Sequence, residues 1–488
     1  EGGAPERGGV GHGRTLRMVP GGRNRRAGST PRGVFPPMFF LMSRASDYLR
    51  ELRLTLTLAT PIVVGQVSQM LMGVTDSVMI GQAGTVPLAA SAFGGNIFNI
   101  FYVFGIGWMI PVSIFASRAR GAGDPAEAGE YLRHGLALAL VIGLAEFVVM
   151  ALLATQLHRF GQPPEVLAIV TPFYLLFAAS IVPVLVYLAL RQFAEAMGHP
   201  WVPMFIMLAG VGLNALLNWV FIYGHLGAPA LGLTGAGIST LVSRTLGALV
   251  ILAWLARYPA LRAAWPRRWL GGYSRERFRR MLGLGAPAAG MLLFETTAFA
   301  FSGIMVGWLG AVPLAAHQIA ITCATFAFMF PLGLSIAAGM RVSRAAGAGE
   351  RHRLRPIAFG VVGLGFAVMT VFALAFWLGG DVIARRFVPD AAVVVLAAQL
   401  LGVAAVFQLA DGVQVIAAAA LRGLMDVRVP AAITLVAYWV VALPLGYGLG
   451  FGAGFGAAGV WTGIAGGLSF AAVFLVARLA RLTRPRPA

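Results

Sequence analysis

Residues 88–113, LAASAFGGNIFNIFYVFGIGWMIPVS, form a long run without a single charged side chain. About 20 apolar residues are enough for a helix to cross the hydrocarbon core of a bilayer, and a helix satisfies its own backbone hydrogen bonds there. The run begins within VPLAA at 86–90 and is followed by SRARGAGD at 117–124. VPLAA recurs at 312–316, and the similar SRAAGAGE stands at 343–350, the same offset further along. This repeated order predicts that the chain consists of two similar halves.

The whole chain is as poor in charge as this run. Of its 488 residues, 58% are hydrophobic and 11% are charged, whereas a soluble globular protein carries about 25% charged residues. Such a chain cannot cover a water-facing surface, which excludes most soluble enzymes and nucleic-acid-binding proteins despite the net charge of +19. The lone cysteine, Cys323, excludes an internal disulfide and a CxxC-type zinc site.

Apolar runs alternate with short connections from Leu54 onward, and their Gly and Ala content allows close helix contact. We therefore predict an all-α polytopic membrane protein of twelve transmembrane helices in two pseudo-symmetric six-helix lobes, with a substrate site between the lobes. The predicted spans are 56–80, 88–113, 135–157, 167–190, 201–223, 235–256, 284–309, 313–338, 356–379, 391–419, 430–450 and 458–478.

The composition also predicts where the lobes begin and end. The N-terminal stretch is rich in Arg, Gly and Pro without hydrophobic periodicity, which is typical of disorder. The sequence begins with Glu1, and we expect Met42 to be a natural start. The predicted parts are a disordered tail at 1–45, an N-lobe at 46–256, an inter-lobe loop at 257–281, a C-lobe at 282–480 and a tail at 481–488.

The arginines predict the orientation. Every one of the 37 basic residues is an arginine, and if both termini are cytoplasmic nearly all of them lie on the cytoplasmic side. Only Arg159, Arg385 and Arg386 lie in loops on the opposite side, and Arg244 lies within a span. Because cytoplasmic loops carry an excess of Arg, we expect both termini and the loop at 257–281 to be cytoplasmic.

Four acidic residues lie inside predicted spans, namely Asp76, Glu146, Glu295 and Asp411. A charge at that depth costs at least about 2.5–3.5 kcal/mol, so such a carboxyl is neutral unless a cation balances it. A group that holds a proton, a metal ion or an organic cation, one at a time, is what cation exchange requires. The alternative is a neutral or arginine-paired structural carboxyl. Glu146 has no polar neighbours at helical spacing, and we expect it to face a lobe interior.

Other polar residues in the spans allow two readings each. Asn214 and Asn218 share one helix face, where they either support Asp76 and a bound cation or only join helices. Arg244 either neutralises an acid or snorkels from a tilted helix in a structural role. His317 is expected to be an interfacial hydrogen-bonding residue rather than a proton carrier. Aromatic and thioether side chains suit flat lipophilic cations. The candidates for lining the substrate cleft are Gln69, Met72, Phe294, Gln318, Phe407 and Gln414.

The chain lacks a GxxxxGK[ST] phosphate loop and an HExxH motif. We therefore expect no built-in ATPase, no enzymatic activity and no organic cofactor, and we expect the energy for transport to come from an ion gradient.

Several long segments, in order, resemble the multidrug and toxic compound extrusion (MATE) family, in its bacterial NorM-type branch. The resemblance covers roughly 54–480. The segments are PIVVGQ with TDSVMIG (61–81), ALRQFAEAMG (189–198), LNALLNWVFIYG (213–224), LGLTGAGIST (231–240), LLFETTAFAF (292–301), AAHQIA (315–320) and FQLADGVQVIAAAALRG (407–423).

The resemblance implies two six-helix bundles around a central cleft, and export of cationic drugs and dyes driven by Na⁺ or H⁺ across the bacterial inner membrane. Glu295 and Asp411 resemble the family's second-lobe cation-binding carboxylates, which would hold the metal if Na⁺ is the coupling ion. Asp76 resembles the first-lobe coupling acid, with Asn214 and Asn218 nearby. The expected partners are lipophilic cationic drugs, the coupling ion and the bilayer, without nucleic acid, and the expected state is a monomer.

One departure from the family pattern concerns the coupling ion. Phe407 stands where some Na⁺-using relatives have a tyrosine. Because Na⁺ prefers oxygen ligands, the missing hydroxyl leaves Na⁺ and H⁺ both open.

Two other functions compete with drug export. A related flippase of lipid-linked oligosaccharides would need cations in its cleft for a pyrophosphate group. The predicted spans contain more acidic residues than arginines, since Arg244 is the one arginine placed within them. A polytopic membrane enzyme would usually show a His/Asp or Asp/Asp cluster at the membrane surface, and the sequence shows none.

Overall fold

The structure, a computed structural model, describes residues 37–266, 268–269 and 271–484, and their side chains from residue 48 onward. In this part of the chain, twelve helical segments have the length and composition to cross a membrane. The helices are α1 Pro37–Gln82, α2 Thr85–Gly121, α3 Pro125–Ala154, α4 Pro164–Ala179, α5 Ile181–Ala196, α6 Trp201–Tyr223, α7 Leu233–Arg257, α8 Arg275–Gly307, α9 Ala311–Gly347, α10 Arg351–Phe387, α11 Ala391–Gly423, α12 Arg428–Leu435, α13 Leu443–Tyr447 and α14 Gly456–Leu482.

Each predicted span falls on one of these segments, but several helices continue well beyond the apolar run. The tail predicted as disordered at 1–45 is helical from Pro37, and residues 1–36 lie outside the described residues. The second helix ends at Gly121, past the predicted 113. Hydropathy marks only the part of a helix inside the hydrocarbon core. Outside the core the helix can continue through charged residues, because its backbone hydrogen bonds do not depend on apolar side chains.

The fourth span is divided into α4 and α5 at Ser180. The Ser180 hydroxyl donates to the Phe177 carbonyl at 2.6 Å. Three residues later Pro183 has no N–H to bond the carbonyl of Ala179. The chain therefore bends here without leaving the membrane.

The eleventh span is irregular along most of its length. After α12 the chain forms a π-helical segment, Val436–Ala442, and a second one follows α13 at Gly448–Gly452. Pro444 cannot bond the carbonyl one turn earlier, and local π turns are a known adjustment around proline in membrane helices. The π segment changes the direction of the side chains between α12 and α13.

The spans form two lobes of six, α1–α7 and α8–α14. In the first lobe α2 packs against α3, α4 and α5, and in the second α11 packs against α9, α10 and α14. The lobes meet where α2 crosses α8 and α9.

Glycines related by the repeat permit a close approach between the lobes. Gly107 and Gly333 stand at equivalent positions of the two halves, as do Val63 and Ala289. A Cβ added at Gly107 would lie 2.2 Å from the Cα of Ala289, and one added at Gly333 would lie 2.9 Å from the Cα of Val63. Only glycine fits at contacts this short.

A second pair of glycines repeats this arrangement at the helix ends. A Cβ added at Gly121 would lie 2.0 Å from the Arg344 carbonyl oxygen, and one added at Gly347 would lie 2.1 Å from that of Arg118. Each glycine thus packs on the carbonyl of the arginine in the other lobe. We call these four glycines the interlobe glycines.

Ion pairs join the lobes at the same end. Glu51 of α1 bonds to Arg341 of α9 and, at 2.8 Å, to Arg353 of α10. Glu127 of α3 lies 2.6 Å from Arg277 of α8. All of these contacts lie toward the predicted cytoplasmic ends of the helices.

In the described part of the chain, no hydrogen bond or ion pair joins the opposite, predicted outer ends of the lobes. A Cβ added at Gly73 of α1 or at Gly95 of α2, in the other half of each helix, would meet no atom within 4 Å. The lobes are therefore joined toward the predicted cytoplasmic side, the arrangement expected of a cleft that opens outward.

Candidate functional site

Four polar side chains from three spans meet inside the second lobe. Gln414 Nε2 lies 3.3 Å from Glu295 Oε1, 3.4 Å from Asp411 Oδ1 and 3.1 Å from the Tyr438 hydroxyl oxygen. Asp411 and Gln414 share one face of α11 because they are three residues apart, and Tyr438 lies in the first π segment of the eleventh span. We call these four residues the C-lobe cluster.

The C-lobe cluster has fewer donors than it needs. The Gln414 amide carries two hydrogens and the Tyr438 hydroxyl one, while the two carboxyls present four oxygens. Among the described residues, no ion pair joins Glu295 or Asp411 to an arginine or histidine. Two carboxyl groups that share one site disfavour each other's charge unless a cation lies between them. The cluster is therefore suited to hold a proton or a cation from outside the protein.

Gln408, one turn before Asp411 on α11, was not among the residues singled out from the sequence. Its side chain is 1% exposed, and within the described part of the chain neither its amide nitrogen nor its amide oxygen has a hydrogen-bond partner. Buried polar atoms are normally paired. Gln408 thus offers the site a further oxygen and a further donor.

Phe407 is fully buried and has a packing role. Its ring centroid lies 5.5 Å from that of Trp461, and Trp461 Nε1 donates to His317 Nδ1 at 3.0 Å. The hydroxyl near the carboxylates comes instead from Tyr438, which sequence reasoning missed because its position depends on the π turn.

The first lobe holds a separate cluster at Asp76. Asn218 Nδ2 donates to Asp76 Oδ1 at 2.6 Å and lies 3.4 Å from Asn214 Oδ1. Both asparagines are fully buried, and in the described structure Asn214 Nδ2 and Asn218 Oδ1 have no partner. The three residues predicted together therefore lie together, apart from the C-lobe cluster.

Arg244 forms no ion pair with Asp76 or with any other described carboxylate. Its guanidinium lies over the neighbouring rings of Phe98 and Phe177, 4.7 and 4.9 Å from their centroids. It also donates to the Ser180 hydroxyl at 2.6 Å. Arg244 thus links α7 to the bend between α4 and α5.

A small cavity of about 60 Å³ in the first lobe brings together Gln69, Met72, Tyr102 and Arg244. Gln69 Nε2 donates to the Tyr102 hydroxyl at 2.5 Å. Gln69 and Met72 therefore line a pocket of the first lobe, away from Glu295.

The remaining predicted residues lie outside the two clusters. Glu146 is buried inside the first lobe, and neither of its carboxyl oxygens has a partner among the described residues. A Cβ added at Gly105 would lie 3.2 Å from Glu146 Oε2. Gln318 is exposed, and Phe294 is half-buried beside Glu295 in the chain.

A buried ion pair in ALRQFAEAMG also escaped sequence reasoning. Arg191 Nε donates to Glu195 Oε1 at 2.7 Å, and Arg191 Nη2 donates to Gln66 Oε1 at 2.9 Å. The available signal was the spacing of four residues, which places opposite charges on one helix face.

The MatE family model matches residues 61–220 and 287–448. These two matches begin at the same offset as the internal repeat, and together they cover more than half of the chain. The chain belongs to the MatE family. It is 36% identical to the "Probable multidrug resistance protein NorM" of Mesorhizobium japonicum, over 91% of this chain and 97% of that relative. It is 35% identical to the "Multidrug resistance protein NorM" of Burkholderia vietnamiensis, over 87% and 92%.

Solved MATE structures share the fold. A MATE transporter of Vibrio cholerae matches with a TM-score of 0.83 at 20% identity, over 90% of this chain and 98% of that chain. A structure titled as the outward-facing conformation of a multidrug resistance MATE family transporter matches with a TM-score of 0.81 at 21% identity, over 89% and 97%. The predictions of the MATE family and of twelve helices in two lobes are confirmed.

Proposed function

We propose that the chain is a secondary active multidrug exporter, which exchanges cytoplasmic lipophilic cations for external Na⁺ or H⁺ by alternating access. The observation that carries this proposal is the C-lobe cluster, where two carboxyls share one amide and form no ion pair with a described arginine or histidine. Relatives named as multidrug resistance proteins over most of the chain support a drug as the exported cation. The proposed location is a bacterial inner membrane, with both termini cytoplasmic.

Coupling follows from exclusive occupancy of the carboxyl groups. In the inward-facing state, ionised carboxylates attract the cationic drug, and aromatic faces bind its flat surface. In the outward-facing state, Na⁺ or H⁺ neutralises Glu295 and Asp411, or Asp76, and the drug leaves. If ion and drug bound independently, neither gradient could drive the other.

The coupling ion is tested in proteoliposomes with Na⁺ and H⁺ gradients imposed separately. We expect uptake of an ethidium-type dye into inside-out liposomes under at least one of the two gradients, and none when both are collapsed. The matched control is the same liposome preparation carrying Asp411→Asn. Dye movement that is equally fast without either gradient contradicts secondary active transport.

Tyr438→Phe is expected to weaken coupling-ion binding without unfolding the protein. It removes only the hydroxyl 3.1 Å from Gln414 Nε2, and so deletes one oxygen from the C-lobe cluster. We expect the half-saturating concentration of the coupling ion to rise about tenfold, as for the loss of one hydrogen bond to a charged group. The control is Tyr447→Phe, at an exposed tyrosine of α13. An unchanged half-saturation in Tyr438→Phe excludes the hydroxyl from the site.

A further inference from the structure

A cavity of about 560 Å³ lies between the lobes at the predicted cytoplasmic end. The first lobe contributes the end of α2, with Ser117 and Arg120, and the connection from α5 to α6. The second lobe contributes the end of α9, with Arg341 and Arg344, and the start of α10, with Arg353. We call it the interlobe cavity. It is distinct from the C-lobe cluster and from the cluster at Asp76.

The acidic groups around the interlobe cavity are already paired. Glu51 bonds to Arg341 and to Arg353. Glu350, in the cavity wall, lies 2.5 Å from Arg353. Glu195, also in the wall, lies 2.7 Å from Arg191. The negative charge of each of these carboxylates is therefore already paired with an arginine.

Arg120 and Arg344 have no carboxylate partner of this kind among the described residues. Arg120 Nη1 donates to the carbonyl of Ala196 at 3.1 Å, and no ion pair joins Arg120 or Arg344 to a carboxylate among the described residues. The two arginines flank the same lobe contact, since the Arg344 carbonyl packs on Gly121. Two positive charges at one contact oppose its formation, so a bound anion would stabilise it.

Ser117 supplies an independent sign of a ligand. Its side chain is 1% exposed and lines the interlobe cavity, and its hydroxyl has no hydrogen-bond partner in the described structure. Ser117 lies one turn before Arg120, on the same face of α2. A hydroxyl and two guanidinium groups that line the same cavity are a donor set suited to phosphate oxygens.

We propose that the interlobe cavity binds a phosphate-bearing anion, whose oxygens accept hydrogen bonds from Arg120, Arg344 and Ser117. Because both lobes contribute donors, the bound anion favours the state in which the lobes touch at this end. Basic pockets between helices on the cytoplasmic side suit lipid headgroups, and soluble cytoplasmic phosphates carry the same group. This inference does not depend on which drug or ion is transported.

The experiment uses the purified full-length protein in two arms. In neutral detergent, pyrophosphate binding is measured by calorimetry; in nanodiscs, the unfolding temperature is compared between phosphatidylcholine alone and a mixture with phosphatidylglycerol. We expect Arg120→Gln/Arg344→Gln to weaken pyrophosphate binding at least about tenfold, or to abolish the stabilisation by phosphatidylglycerol. The control is Arg262→Gln/Arg279→Gln, which removes equal charge from exposed cytoplasmic-side positions outside the cavity.

Ser117→Ala keeps the inference testable if the double variant does not fold. It removes only an oxygen without a partner, so stability without the anion should hold while affinity falls several-fold. A response to pyrophosphate alone identifies a soluble phosphate as the ligand, and a response to phosphatidylglycerol alone identifies a lipid. If neither probe binds, or if the cavity variants and the control respond like the wild type in both arms, the inference is wrong.

Discussion

Asp411→Asn and Glu295→Gln are each expected to reduce ion-driven dye efflux about a hundredfold, which corresponds to about 2.7 kcal/mol. Each variant keeps the size of the side chain but removes the group that exchanges a proton or binds a cation. Gln414 then faces one amide and one carboxyl instead of two carboxyls, so occupancy by ion and drug is no longer exclusive. The measurement is the initial rate of ethidium-type dye efflux from cells with equal amounts of protein in the membrane.

Two exposed carboxylates supply matched controls for these variants. Asp381→Asn removes the partner of Arg385, and Glu276→Gln removes the partner of Arg280. Both should transport like the wild type, because surface ion pairs contribute little. If Asp411→Asn, Glu295→Gln and Asp76→Asn also pump like the wild type, the carboxylate mechanism is wrong.

The number and type of the spans were predictable because the bilayer imposes a simple rule. A charge-free run such as 88–113 has to be a helix, and the offset between VPLAA at 86–90 and VPLAA at 312–316 predicts two similar halves. Irregular backbone was not predictable from apolarity. The π segment at Val436–Ala442 arises within an apolar run, and hydropathy does not distinguish it from an α-helix.

The carboxyls of the candidate site were predictable because acids in an apolar span are costly. Their partners were predicted less well: Gln414 was expected only to line the cleft and Gln408 was not expected at all, since an uncharged side chain carries no such signal. Tyr438 depends on the π turn for its position near Gln414. The resemblance to the family drew attention to Phe407, but the described structure places that ring on Trp461. The hydroxyl near the carboxyls belongs to Tyr438 in the next span. The spacing of residues along α11 gives no information about a residue in another span.

The glycine repeat was visible in the sequence, but its meaning required the structure. Gly121 and Gly347 lie in SRARGAGD and SRAAGAGE, which in isolation suggest helix ends. In the structure each of them contacts the Arg carbonyl of the other lobe. The repeated segments therefore form one pseudo-symmetric contact that holds the lobes together at the predicted cytoplasmic end.

Gly107→Ala is expected to shift the protein away from the arrangement in which the lobes touch at the predicted cytoplasmic end, and to reduce efflux at least tenfold. The added Cβ would lie 2.2 Å from the Cα of Ala289. Because a backbone atom cannot move aside as a flexible side chain can, the two helices have to separate. Overpacking of this kind costs about 1–3 kcal/mol, which changes the ratio of two conformations about fivefold to 150-fold. Spin labels at Thr155→Cys and Arg386→Cys, on the predicted outer ends, measure the lobe separation in a Cys323→Ala background.

The control for this prediction is Gly95→Ala on the same helix, where an added Cβ meets no atom within 4 Å. It should leave both the outer distance and the efflux rate unchanged. In Gly107→Ala the outer distance should shorten, because closing the cleft brings the outer ends together as the inner contact opens. An unchanged distance distribution with full efflux would show that the lobes tolerate a methyl group at this contact. The interlobe glycines would then not control the state of the cleft.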